Sequence, residues 1–88
     1  MSGKTYTQEN LESLAQERLK TLLLAAVDFV DNGNPQRLDS LPEGELIKET
    51  YLNNAQTLAG LDTFSVAVQL LVISGLAIHK EVQLISLN

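Results

Sequence analysis

DTFSVAVQLLVISGLAIHKEVQLISL, from Asp62 to Leu87, is the segment on which the fold turns. Between Phe64 and Ile78 its only polar side chains are Ser65, Gln69 and Ser74, and none of the three is charged. Projected at about 100° per residue, Ser65, Gln69, Lys80 and Gln83 gather on one narrow stripe, and apolar groups occupy roughly 260° of the circumference. A helix of that kind is buried on nearly all sides. The run is also rich in β-branched residues (Val66, Val68, Val72, Ile73, Ile78), which suits a strand. Its length decides for helix, because strands in compact domains seldom exceed ten residues or so. The alternating tail from Val82 to Leu87 fits either conformation, so residues 80–88 stay open at this stage.

Working outward, Gly60-Leu61-Asp62 leaves only a short joint before this helix, with Asp62 or Thr63 able to cap it. A joint so short predicts an antiparallel hairpin with the preceding helix. That helix is expected over 41–59. Ser40-Leu41-Pro42-Glu43 has the spacing of a capping box, and Ile47, Tyr51, Ala55 and Leu58 form a buried stripe widened by Leu52 and Ala59. A first helix is expected over 7–32, capped by Thr7 with Glu9 in its first turn. Its apolar stripe runs through Leu11, Leu14, Ala15, Leu19, Leu22, Ala26, Phe29 and Val30. Asn32-Gly33-Asn34-Pro35 ends it, and Asn34-Pro35 can open one further helical turn. Arg18 projects into the apolar stripe. It either extends its guanidinium over buried methylenes to water or pairs with an acid of a second subunit.

The chain thus reads as an all-α protein: a loose arm over 1–6 and one helical domain over 7–88, a three-helix protomer (7–32, 41–59, 62–85). Two neighbours cover roughly 180° to 200° of the last helix, which leaves an apolar arc on Val66, Leu70, Ile73, Ala77 and Leu84. Self-association into a larger helical bundle, most simply a two-fold homodimer, would cover it. Ala67, Ser74 and Gly75 are small enough to let a second backbone approach. A membrane is the weaker alternative. Residues 63–79 carry no Asp, Glu, Lys or Arg, but this reaches only the short end of a spanning helix, with Gln69 in the middle and no flanking basic cluster.

Charge and composition exclude several functions. With 11 acids against 6 scattered bases the net charge is −5, which opposes phosphate backbones, and four aromatics make no stacking platform. Nucleic acid is therefore not expected as a partner. The absence of cysteine removes disulfides, thiolate metal sites and thiol nucleophiles. His79 is the only histidine and is expected to be structural, so no metal, cofactor or acid–base machinery is predicted. The N-terminus has no basic region followed by an apolar run, so no signal peptide is read there and a cytoplasmic location is expected.

Asp39-Ser40-Leu41, in an acidic helical chain of this size, resembles the modified site of the acyl carrier proteins, whose serine carries phosphopantetheine. The resemblance implies a prosthetic group on Ser40. Pro42 and the very apolar last helix depart from that family's pattern, and the capping box accounts for Ser40 and Glu43 together. The leading expectation is a non-enzymatic protein–protein interaction or regulatory module that self-associates through its apolar C-terminal helix. A binder of a small apolar ligand is the alternative, ahead of a carrier modified at Ser40.

Overall fold

The computed structural model describes residues 8–83, with side chains over residues 15–82. It comprises five helices: α1 (Gln8–Asn32), α2 (Gln36–Asp39), α3 (Gly44–Leu58), α4 (Thr63–Ile73) and α5 (His79–Gln83), and there is no strand among the described residues. The expected Thr7 cap, the 1–6 arm and the tail from Leu84 lie outside the described residues, as do the side chains of Glu9, Leu11, Leu14 and Gln83.

α1 buries Leu19, Leu22, Leu23, Ala25 and Ala26, so its helical periodicity does place one face in the core. That face starts later than the sequence pattern suggests, because Ala15 to Arg18 are all exposed. Length explains the difference. At 1.5 Å per residue α1 is about 37 Å long and α4, packed against it, only about 16 Å. α4 can cover no more than part of α1.

The joint after α1 is built around Asp28. Its carboxylate accepts from the side-chain amides of Asn32 at 2.7 Å and Asn34 at 3.1 Å, and Arg37 Nε lies 3.9 Å away. Gly33 takes φ +66° there and donates to the Phe29 carbonyl at 3.0 Å. Asn34 Oδ1 then accepts the Gln36 amide at 3.1 Å, which starts α2 and drives Leu38 into the core.

The capping box expected before α3 does not form. Ser40 instead follows α2 as its C-terminal cap, with its hydroxyl donating to the Arg37 carbonyl at 2.7 Å. Glu43 is drawn to Arg18 of α1 in an intrachain ion pair, so neither member of the box reaches the other. Arg18 thereby finds its acid within its own chain. α3 begins at Gly44, tight against the Leu38 carbonyl. Its buried stripe is narrower than expected: Ile47, Thr50 and Leu58 are buried, whereas Ala55, Ala59 and Leu52 (72% exposed) face outward. Tyr51 stays half-buried, edge-on to Phe29 with ring centroids 5.6 Å apart.

The largest correction concerns the last helix. Instead of running from 62 to 85, it stops after Ile73, turns, and resumes as α5. Gly75 adopts φ +80°, its amide bonds the Val72 carbonyl at 3.1 Å, and the Leu76 amide bonds the Leu71 carbonyl at 3.0 Å. This 6→1 and 5→2 pair is the Schellman way of closing a helix, with Leu76 folded back on the core. Gly75 therefore serves as a helix stop. α5 opens with the Glu81 side chain accepting the Ile78 amide at 3.1 Å.

Candidate functional site

α4 starts cleanly. Asp62 caps it, accepting the Ser65 amide at 3.1 Å and the Ser65 hydroxyl at 2.6 Å. These two donors, the hydroxyl first, hold the Asp62 carboxyl below the usual carboxylate range. From there Val66, Ala67, Val68, Leu70 and Leu71 are buried, an arc of roughly 200° at 100° per residue. Ser65, Gln69, Val72 and Ile73 are left on the outer side.

This geometry redistributes the residues expected at an interface. Val66, Leu70 and Ala77 are buried within the protomer, with Leu70 fully so, and they cannot present an uncovered arc. The reason is the bend: it folds Leu76, Ala77 and Val82 back over the body, and α1, α3 and α5 all contact α4. Of the four that are described, Ile73 alone is at the surface, 46% exposed, and Leu84 lies outside the described residues. The single wet stripe also dissolves, because Lys80 belongs to a different helix from Ser65 and Gln69.

What the bend creates is a groove of about 160 Å³ between α4 and α5. Phe64, Val68 and Val82 form its apolar wall, and Ser65, Gln69 and His79 supply its polar groups. Phe64 stands at the first turn of α4 and is 44% exposed, so the groove carries an accessible aromatic ring of its own. Ile78, adjoining His79, is also exposed. Sequence reasoning missed Phe64 and Val82 because both were absorbed into one continuous apolar helix. The signal available was Gly75, which splits that run in two.

Of the groove's polar groups, Ser65 is committed locally. Ser65 spends its hydroxyl on Asp62, which aims it along the α4 cap. His79 is exposed on the opposite wall. A second hollow, about 210 Å³, lies among Ala15, Leu19, Leu22 and Leu76, and the Arg18–Glu43 ion pair and Glu81 line it as well. Ser40 is exposed, at the end of α2. On the same surface Lys48 bonds Asp39, which raises the lysine's affinity for its proton, and lies 3.6 Å from Glu45. Among the described residues no three His, Asp or Glu side chains come together as a metal-binding set. No described helix is long and apolar enough to cross a membrane.

No family model, curated protein or solved structure matches this chain.

Proposed function

We propose that the protein is a non-enzymatic interaction module that self-associates through its C-terminal α4–α5 unit, with Phe64 of each copy entering the groove of the other. The observation that carries this reading is a side-chain-sized apolar groove with an exposed phenylalanine on its own wall. A two-fold contact needs that self-complementarity: residue i meets j, and j meets i. Size separates it from the ligand-binding alternative. Pockets for small molecules occupy about 300 to 1,000 Å³, whereas a cavity of about 150 Å³ is enough for one benzene ring. At about 160 Å³ the groove suits one aromatic ring of a partner better than a whole ligand.

Charge supports the same face. The chain carries −5, so two copies repel through most of their surfaces, but residues 63–79 hold no Asp, Glu, Lys or Arg, and the two charges of α5, Lys80 and Glu81, cancel. The α4–α5 unit is where a second acidic copy approaches at least electrostatic cost. A dilution series followed by NMR tests the reading. The resonances of Phe64, Val68 and Val82 should shift together with concentration, while those of Leu52 on α3 stay fixed. Spectra independent of concentration would sink it.

A further inference from the structure

From Thr63 to Gln83 the chain contains no proline, and its apolar spacing continues across the bend. Gly75 is the one residue of this stretch with a positive φ, and no atom lies within 4 Å of where a side chain would begin there. The other two glycine joints carry a second block. Pro35 follows Gly33, and Gly60 stands between Ala59 at ψ 137° and the extended cap Asp62 at ψ 162°. At the Gly75 joint the turn's own hydrogen bonds, Gly75 to Val72 and Leu76 and Ala77 to Leu71, together with the Glu81 side chain on the Ile78 amide, oppose a straight helix. A straight helix would replace them with i→i−4 bonds.

α5 has five residues, too few to be stable as an isolated helix. It is held by what it docks on: Val82 and Ala77 are buried in the core, beside Leu76. We infer that α5 is an exchangeable latch, and that the surface which receives it also accepts α5 from a second copy of this chain. Straightening residues 74–78 carries Val82 about 12 Å along the α4 axis, off its own body, at 1.5 Å per residue. Reciprocal exchange then restores the α5 contacts on the other chain, and the two states differ over residues 74–78, which include the core-packed Leu76 and Ala77. In the exchanged form each groove takes Phe64 and Val68 from one chain and His79 and Val82 from the other. This inference does not rest on Phe64 insertion, in which each α5 stays at home.

The test uses the full chain carrying Phe64→Ala, which removes the ring-in-groove contact. Into it are placed Gly75→Ala or Gly75→Asn. Open space around Gly75 means that alanine reports the backbone alone. Alanine disfavours positive φ by about tenfold per chain, and so by about a hundredfold for a dimer with two hinges, while asparagine tolerates it better. Light scattering should find the alanine variant at twice the protomer mass, with added helix by circular dichroism. The asparagine variant should stay at the protomer mass. An alanine variant that is monomeric at every concentration, folded or unfolded, overturns the inference, as does an asparagine variant that dimerises equally well.

Discussion

The Leu76 amide donates to the Leu71 carbonyl at 3.0 Å, across the turn in which Gly75 is left-handed. This contact divides one long apolar segment into a core helix and a short docked one. It buries the residues a continuous helix would have exposed, and it brings α5 against α4 to form the groove.

Leu70→Asp and Ile73→Asp should behave oppositely, although they are three residues apart on one helix. Leu70 is fully buried, and an unpaired carboxylate there costs several kcal/mol, of the order of the roughly 5–15 kcal/mol that holds a domain together. Ile73 is half-exposed and lies about 180° around α4 from Phe64, nine residues at 100° each. Circular dichroism should show Leu70→Asp unfolded and Ile73→Asp folded, with association unchanged. A folded Leu70→Asp would refute the core assignment.

Gly44→Ala should be the most damaging one-atom change in the chain. A methyl at Gly44 would sit 1.8 Å from the Leu38 carbonyl oxygen and 2.5 Å from its carbon. Both are backbone atoms, and Leu38 is fully buried, so α2 and α3 must move apart. A loss of about 3 kcal/mol or more is expected in urea denaturation, at the upper end of overpacking effects. Gly33→Ala, where the space is open, should cost only the backbone strain of its positive φ.

Asp62 gives stability a pH dependence of known sign. Its folded carboxyl lies below the ordinary value of 3.8, so its contribution is present in full above that pH and is lost as pH falls through the lower folded value. The stability difference between parent and Asp62→Ala should be flat at neutral pH and shrink in acid. A difference that grows in acid would contradict the cap.

Much of this fold is legible in the sequence. Asn32-Gly33-Asn34-Pro35 ends α1, Gly60 closes the turn after α3, and Asp62 caps α4, because each is a local signal with a local cause. The capping box failed because local spacing competed with a distant partner. Ser40 and Glu43 have capping-box spacing, but Glu43 pairs with Arg18, 25 positions earlier, a preference no window around Ser40 contains. The bend at Gly75 failed for a different reason. A turn that folds back on the core is as apolar as the helices it joins, so Leu76 and Ala77 continue the pattern across the bend. The cue was a glycine followed by leucine four residues after Leu71-Val72 opens the last helical turn, which is what the Schellman closure requires. The groove was illegible for the same reason, since it exists only because of that bend.

Sedimentation equilibrium from low to high micromolar concentration, on the parent chain and on Phe64→Ala, tests self-association through the α4–α5 groove most directly. The account predicts a reversible rise toward twice the protomer mass for the parent and protomer mass throughout for a folded Phe64→Ala. A parent that stays at protomer mass across the range, or a Phe64→Ala chain that associates as strongly as the parent, would contradict it.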